Sequence, residues 1–301
     1  MTKTVVADGV VEIVLAASAA DAPFGSFTPG SHIDLHLGDD LVRQYSLLPS
    51  ATGTWRVAVL RERDGRGGSA FCHDELAVGR DVRVAGPRNH FALDEQGRYL
   101  FLAGGIGITP LISMIDEAAA RGADWRLVYA GRTAGSMAFA ADLARRWPDR
   151  VDLHVDADRG LLDLAGLLAA TPSGTQVYAC GPAGFLDAVA EHAPAESLHV
   201  ERFAPLAITD REDTPFEVEL ARSDRTVPVP PGRSVLEAVR DAGVQTLSSC
   251  GEGTCGTCET TVLAGEVDHR DAVLTDAERE DSETMMICVS RARGPRLVLD
   301  L

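Results

Sequence analysis

Short stretches in which apolar and polar residues alternate dominate the first 95 residues. The segment 32–37 (HIDLHL) alternates at every position, which is the period of a strand with one buried face. We predict further short strands at 42–47, 55–62 and 81–85, separated by turns rich in Gly, Pro and Asp. Several short strands with regular turns predict a small antiparallel β-barrel or sandwich.

The pattern changes near Gly97, where apolar strands begin to alternate with helical runs. The predicted strands are 99–103, 126–130, 151–155, 176–180 and 198–203, and the predicted helices are 110–121, 137–147 and 183–192. Strands that alternate with helices predict a parallel sheet with crossover helices. This part of the chain is therefore expected to be an α/β domain.

A polar, acidic segment bounded by Pro205 and Pro215 predicts a linker. Beyond it, strands are predicted at 216–220 and 226–229, and Ser234 with Glu237 forms a capping-box pattern ahead of a short helix. Thr275 and Glu278 repeat that pattern. The predicted organisation is a β domain at 1–97, an α/β domain at 98–205, a linker at 206–215 and a second β-rich domain at 216–301.

Composition and charge narrow the classes of function. The 301 residues are 45% hydrophobic and carry a net charge of −17, with a pI near 4.8. Such a surface repels phosphate backbones, so no nucleic-acid partner is expected. The net charge of 214–301 alone is −7. This excess of negative charge fits docking onto a basic patch of another protein, and it fits a generally acidic surface equally well.

Neither a membrane span nor a secretory signal is expected. The longest run without a charged residue, 164–186, has a polar middle (TPSGTQ), and Asp8 and Glu12 interrupt the apolar N-terminus. We therefore expect a cytoplasmic protein, in which six cysteines indicate metal or redox chemistry more readily than disulfides. Lys3 is the only lysine, which excludes lysine-based chemistry from the rest of the chain.

Four cysteines have the spacing C-x4-C-x2-C-x29-C: Cys250, Cys255, Cys258 and Cys288. This spacing is typical of plant-type [2Fe–2S] ligation, in which three thiolates come from one tight loop and the fourth from a distant strand. Glycines inside the loop allow close wrapping and direct N–H groups at the sulfurs. Zinc and disulfides are the alternatives, but structural zinc usually takes two C-x2-C pairs, and only one is present.

Two glycine-containing turns follow predicted strands and open predicted helices. The segment 104–110 (GGIGITP) differs from the dinucleotide fingerprint G-x-G-x-x-G because it lacks the third glycine. The segment 180–182 (CGP) ends another strand of the same sheet. Each alone fits a structural turn. Together, at the carboxyl edge of a parallel sheet, they indicate a nucleotide site.

Weaker signals lie in the first β segment. Arg43 offers two parallel N–H groups to a phosphate, and Ser46 offers a hydroxyl to a ring nitrogen. The turn 67–69 (GGS) offers backbone and hydroxyl donors for a second phosphate contact. By themselves these residues also fit an ordinary strand edge and turn, and His73 fits a structural role better than a catalytic one.

With these elements in this order, the chain resembles the phthalate dioxygenase reductase family, and within it the vanillate O-demethylase-type oxidoreductase subunits. The resemblance implies a six-stranded antiparallel flavin barrel that binds FMN, NADH as donor, and a C-terminal β-grasp ferredoxin domain. Carried over by position, the implied FMN contacts are Arg43, Tyr45, Ser46, Leu60, Arg61, Gly67, Gly68 and Ser69. The implied nicotinamide-dinucleotide residues are Gly104, Gly105, Gly107, Thr109, Pro110, Cys180, Gly181 and Pro182.

Three further expectations refine that carry-over. Ser46, Thr109 and Cys180 are expected near the junction where hydride passes to the flavin. Phe203 resembles the aromatic that the family places near the flavin. Arg132 lies where a 2′-phosphate is read, which keeps NADPH open as an alternative to NADH.

The implied activity is electron transfer from NAD(P)H through FMN and the [2Fe–2S] cluster, singly, to a protein acceptor. No catalytic triad or acid–base pair is needed, because the cofactors carry the chemistry. The resemblance implies that the acceptor is a Rieske-type terminal oxygenase acting on an aromatic acid and docking near the ferredoxin domain. The alternatives are the same electron chain feeding a haem-thiolate monooxygenase and, in another class, a non-enzymatic ferredoxin-like or zinc-bound interaction protein.

Overall fold

The chain divides into two compact units, residues 1–202 and 203–301. The computed structural model describes residues 1–18, 21–38, 41–95, 97–206 and 213–301. The predicted linker, 206–215, falls mostly on residues 207–212, which lie outside the described part. Among the described residues, no helix combines the length and the apolar character that crossing a membrane requires.

The first unit opens with two three-stranded antiparallel sheets, ordered β1-β2-β5 and β4-β3-β6. Their strands are β1 (Thr2–Ala7), β2 (Val10–Ala16), β3 (His32–His36), β4 (Val42–Ser46), β5 (Thr54–Leu60) and β6 (Arg83–Arg88). Alternate residues such as Ile13, Ile33 and Val57 are fully buried in one shared core. The antiparallel β class expected here is confirmed, although β6 begins two residues later than predicted.

A short helix, α1 (Gly68–Asp74), lies between β5 and β6 and was not predicted. It begins after Gly67, whose φ is 83°, a left-handed conformation that glycine adopts without steric cost. The sequence GGS predicted only a turn, and the structure shows that the same residues also start a helix.

The rest of the first unit is a five-stranded parallel sheet, ordered β11-β10-β7-β8-β9. Its strands are β7 (Arg98–Gly104), β8 (Asp124–Gly131), β9 (Val151–Val155), β10 (Gln176–Cys180) and β11 (Leu198–Glu201). Its helices are α2 (Ile108–Ala120), α3 (Ala140–Arg146), α4 (Asp156–Arg159), α5 (Leu164–Ala169) and α6 (Ala183–His192). Separate buried clusters cover its two faces, as expected for a parallel sheet.

Two predicted boundaries in this part are wrong. The helix predicted at 137–147 begins only at Ala140, because a 3-10 turn precedes it and Phe139 has a φ of 63°. The strand predicted at 198–203 ends at Glu201, so Phe203 lies beyond it.

The second unit contains a five-stranded mixed sheet, ordered β13-β12-β18-β14-β16, and a two-stranded pair, β15-β17. Its strands are β12 (Phe216–Leu220), β13 (Arg225–Val229), β14 (Glu259–Ala264), β15 (Val267–Asp268), β16 (Thr284–Met286), β17 (Arg291–Ala292) and β18 (Arg296–Leu299). Its helices, α7 (Val235–Asp241) and α8 (Asp276–Asp281), both begin with the predicted capping boxes. The α/β and β-grasp parts of the predicted fold class are thus confirmed.

Ion pairs anchor the segment where the chain enters the second unit. The carboxylate of Asp213 accepts a hydrogen bond from Arg270 at 2.7 Å and one from the backbone N–H of Gly232 at 2.9 Å. Arg291 lies 3.5 Å from the same carboxylate and donates to the Thr214 carbonyl oxygen. The hydrogen bond from Arg270 lowers the pKa of Asp213.

Candidate functional site

The two glycine turns of the first unit lie side by side at the carboxyl edge of the parallel sheet. Strands β7 and β10 are hydrogen-bonded neighbours, with Ala103 opposite Cys180. A Cβ on Gly104 would lie 2.8 Å from Pro182 Cδ, and one on Gly181 would lie 3.0 Å from Gly104 Cα. The turns therefore pack backbone against backbone, which only residues without a side chain permit.

The contact is tightest at Gly107, the last residue of the 3-10 turn 105–107 before α2. A Cβ there would lie 2.2 Å from the Cys180 carbonyl oxygen. Thr109, in the first turn of α2, is buried and donates its hydroxyl to the Ile106 carbonyl oxygen at 3.0 Å, and Pro110 follows it in the buried helix start. The start of α2 and the end of β10 therefore meet at one backbone edge.

The β-barrel reaches this edge through strand β5. Strand β5 contacts the turn 105–107, and Leu60 and Ile106 pack against the same buried cluster. That cluster also holds Cys180, whose thiol pKa is raised well above its usual value by burial. The structure therefore brings a barrel strand next to the glycine turn 105–107.

A second group of predicted residues converges around α1. Arg43 packs on Gly68 so closely that a Cβ there would lie 2.3 Å from Arg43 Cγ. The guanidinium of Arg43 donates to the Arg66 carbonyl oxygen at 2.6 Å. The hydroxyl of Ser69 accepts from the Glu62 backbone N–H at 3.1 Å, which leaves the hydroxyl proton to donate. A guanidinium beside a Gly-Gly-Ser turn is a donor set that fits a phosphate.

Neighbouring predicted residues hold α1 in place. Tyr45 lies on the same face of β4 as Arg43, and its hydroxyl is 3.7 Å from Cys72 Sγ. Burial raises the pKa of both the Tyr45 hydroxyl and the Cys72 thiol, so both stay protonated. Arg61 pairs with Asp74 at the end of the helix at 2.6 Å.

Three predicted residues stand apart from these groups. Ser46 is buried at the end of β4, and strand alternation turns it to the face opposite Arg43. Arg132 is exposed directly after the carboxyl end of β8. Phe203 is 45% exposed and opens the second unit.

Glu201 was missed by the sequence analysis as a site residue. It ends β11 directly opposite Cys180, so the two side chains share one face of the sheet. Its Oε2 is buried and has no hydrogen-bond partner in the described ranges. Burial raises the pKa of this carboxyl to about 8, so it is neutral at pH 7. Its place at a strand end beside Cys180 was visible in the sequence, whereas its burial arises from tertiary packing.

The four cysteines converge in the second unit. The cysteines at 255, 258 and 288 are buried, and Cys250 is partly buried. The backbone N–H groups of Glu252 and Thr254 donate to Cys250 Sγ at 3.3 and 3.5 Å. Three of the loop glycines, 251, 253 and 256, have φ between 69° and 71°, which turns the chain around the sulfurs as predicted.

The thiol groups lie close enough to one another to interact. Contact with the thiols of Cys255 and Cys288 lowers the pKa of Cys250, and contact with Cys288 lowers that of Cys258. Cys288 lies in the turn after β16 rather than on a strand, so that detail of the prediction is wrong. Four convergent thiols with backbone N–H donors to sulfur fit the [2Fe–2S] cluster that the spacing predicted.

Comparison with known proteins agrees with a [2Fe–2S] cluster bound by the four cysteines. Residues 218–293 match the model of the 2Fe-2S iron-sulfur cluster binding domain, which favours iron over zinc. Vanillate O-demethylase oxidoreductase from Pseudomonas sp. (strain HR199 / DSM 7063) is 42% identical, over 90% of this chain and 89% of that protein.

Solved structures resemble the whole chain. Phthalate dioxygenase reductase, described as a modular structure for electron transfer from pyridine nucleotides to [2Fe–2S], is 36% identical, with a TM-score of 0.69 over 100% of this chain and 96% of that one. An intact type IV self-sufficient cytochrome P450 monooxygenase is 46% identical, with a TM-score of 0.92 over 100% of this chain. The chain spans only 40% of the length of that P450.

Proposed function

Because this chain belongs to the phthalate dioxygenase reductase family, we propose that it passes electrons from NADH through FMN and a [2Fe–2S] cluster to a Rieske-type oxygenase acting on an aromatic acid. As a member of this family, the chain is an oxidoreductase and the reductase component of an oxygenase system. A non-enzymatic carrier or a zinc-bound interaction protein does not fit that family. The observation that carries the proposal is the presence, in one chain, of a backbone nucleotide edge and four convergent cysteines.

The domain division belongs to this proposal. Residues 1–97 would form the FMN-binding barrel, 98–205 the NAD-binding domain and 216–301 the ferredoxin domain, with 206–215 as linker. The division of the first unit at 97/98 is supported by the change there from two antiparallel sheets to one parallel sheet.

At the flavin site, Arg43 with the turn 67–69 would bind the FMN phosphate, because a guanidinium and several N–H and O–H donors meet there. Tyr45 and Arg61 contact residues of α1, Leu60 ends β5, and the three would contact the rest of the flavin. Ser46 and Phe203 remain proposed contacts on the strength of the resemblance.

At the nicotinamide site, the glycine turns would hold the dinucleotide against backbone N–H groups. Gly104, Gly105 and Gly107 lie on one side, and Cys180, Gly181 and Pro182 on the other. Thr109 and Cys180 would orient the nicotinamide toward the flavin. When bound, a flavin accepts a hydride from NADH and releases its electrons singly, which matches a one-electron iron–sulfur acceptor.

NADH is the proposed donor, and Arg132 is the residue that tests it. Its exposed guanidinium follows β8, where a 2′-phosphate would be bound. Steady-state kinetics with NADH and NADPH, for the wild type and Arg132→Ala, would decide. A lower KM for NADPH that rises in the variant would overturn the choice of NADH.

A second candidate acceptor is a haem-thiolate monooxygenase. The specific observation in its favour is the P450 monooxygenase whose chain includes a 46% identical segment. We rank the Rieske oxygenase first because the phthalate dioxygenase reductase matches over 96% of its own length. In either case the acceptor would dock near the ferredoxin domain, in the cytoplasm.

The first experiment is a visible spectrum of the purified full-length protein, followed by anaerobic NADH titration and identification of the released flavin. A flavin band over a broad iron–sulfur absorbance, bleached by NADH, with FMN released, is expected. A protein that FMN, iron and sulfide cannot colour would overturn the proposal, and released FAD would overturn the choice of flavin. Cytochrome c reduction, then assays with purified Rieske and haem-thiolate oxygenases, would separate the two acceptors.

A further inference from the structure

The only lysine in the chain is bound at three points to the end of the helix that follows the Gly-Gly-Ser turn. Lys3 Nζ donates to the carbonyl oxygens of Cys72 at 3.3 Å, His73 at 3.0 Å and Leu76 at 2.9 Å. These carbonyls belong to the last turn of α1 and the residues just beyond it, where helical carbonyls have no partner within the helix. All three ammonium protons are therefore used at one helix end.

Lysine suits this position better than arginine. The other 27 basic residues are arginines, whose planar guanidinium donates within one plane. Three carbonyl oxygens that converge on one point need a compact donor with tetrahedral geometry, which the ammonium group provides. The positive charge also lies at the end of α1 that carries the partial negative charge.

Helix α1 connects this contact to the proposed phosphate site. The turn at its start packs on Arg43 and, through Ser69, on the Glu62 backbone. Along its length, His73 Nε2 lies 2.9 Å from the Val59 carbonyl oxygen. The helix has only seven residues, so such contacts rather than helix propensity hold it in place.

We propose that Lys3 is a positioning residue for the flavin phosphate: by holding the carbonyl end of α1, it fixes the turn 67–69 against Arg43. The inference rests on the proposed FMN site and adds a residue of β1 that touches no part of the flavin in that proposal. Loss of the ammonium group would let the short helix shift and separate the phosphate donors.

The test compares two flavins that differ only in the phosphate. Deflavinated full-length protein is titrated with FMN and with riboflavin, and Kd is read from quenching of flavin fluorescence. Lys3→Met should raise the FMN Kd about tenfold, which is roughly the effect of losing one charge-assisted hydrogen bond. The riboflavin Kd should stay within about twofold of the wild type, because the site acts on the phosphate alone.

Two further variants keep the test sharp. Lys3→Arg retains the positive charge but not the tetrahedral geometry, so its FMN Kd should lie between those of the wild type and Lys3→Met. It replaces Lys3→Met in the test if that variant does not fold. Thr4→Met puts the same side chain on the exposed face of the same strand and should match the wild type.

The outcomes distinguish a failure of the Lys3 inference from a failure of the proposed FMN site. An unchanged FMN Kd in Lys3→Met, or an equal loss for FMN and riboflavin, would overturn the positioning role while leaving the FMN site intact. Equal wild-type affinities for FMN and riboflavin would overturn the phosphate site itself, and the role of Lys3 with it.

Discussion

Gly107 packs directly against the backbone of Cys180, so that a Cβ on the glycine would lie 2.2 Å from the cysteine carbonyl oxygen. The carbonyl oxygen is a backbone atom and cannot swing away as a flexible side chain can. Strands β7 and β10 are also hydrogen-bonded neighbours up to Cys180. A methyl group at Gly107 must therefore push the two turns of the proposed nicotinamide site apart.

Gly107→Ala is expected to lower kcat/KM for NADH by about tenfold or more, because small displacements at a reacting centre cost large factors in rate. Stopped-flow reduction of the flavin by NADH measures it. Gly184→Ala is the matched control, since a Cβ there meets no atom of the described residues within 4 Å. Similar loss in both variants, or none in Gly107→Ala, would contradict the assignment.

Cys255→Ser is expected to remove or perturb the [2Fe–2S] cluster while leaving flavin reduction by NADH in place, because the donors lie in different units of the chain. Iron content, the visible spectrum and cytochrome c reduction are the measurements. Cys72→Ser, which removes a buried thiol of the barrel, should keep full iron content. Full cytochrome c reduction by Cys255→Ser would show that electrons take another path.

Glu201 makes stability depend on pH in a defined direction. Its carboxyl keeps its proton up to a pKa of about 8 in the folded protein, against 4.5 for an exposed glutamate. The unfolded chain therefore loses this proton first, and the stabilising contribution present below pH 4.5 is lost as the pH rises to about 8.

Glu201→Gln removes this dependence, because the amide is similar in size and does not ionise. Relative to the wild type, the variant should gain about 3 °C or more in Tm between pH 5 and pH 8. Scanning calorimetry of both proteins at both pH values gives the difference. A constant gap in Tm would mean that Glu201 ionises normally in the folded state.

Asp213 tests the ion pairs at the entry to the second unit. Asp213→Asn removes the carboxylate that lies 3.5 Å from Arg291, whose side chain is 4% exposed. It also removes one of the two carboxylates that pair with Arg270, which keeps its 2.7 Å contact with Asp268. Unpairing buried charges costs a few kcal/mol, and since Asp213 is 26% exposed we expect about 2 kcal/mol. Urea unfolding at pH 7, followed by the iron–sulfur absorbance, measures the loss.

The matched control for that variant is Asp300→Asn. Asp300 pairs with Arg222 in the same unit, but that arginine is 71% exposed, so water replaces the lost contact and the urea midpoint should hardly move. Equal shifts in the two variants would show that the Asp213 pairs are no stronger than a surface pair.

Local signals in the sequence predicted most of the elements and the convergence of the four cysteines. The capping boxes at Ser234 and Thr275 involve residues three apart, and three of the four cysteines lie within nine residues of one another. Such patterns need no knowledge of the tertiary fold. The two glycine turns could likewise be placed at one sheet edge, because parallel strands bring their carboxyl ends together.

Features that depend on distant contacts were not predictable in the same way. Helix α1 starts at a glycine and is held by residues from β1, β4 and β5, so its own seven residues carry little helical signal. The burial of Glu201 arises from packing around the end of β11. The turn position of Cys288 depends on how β16 and β17 leave their sheets.

The spacing of the cysteines affects the order in which parts of the second unit unfold. A [2Fe–2S] cluster bound by Cys258 and Cys288 would act as a cross-link that closes a loop of 29 intervening residues, with β14, β15, α8 and β16 inside it. In the chain-entropy model, closing a loop of this length restricts the unfolded chain by about 3–4 kcal/mol. Iron release and loosening of that whole segment should therefore occur as one event, and refilling an emptied site has to close the loop again.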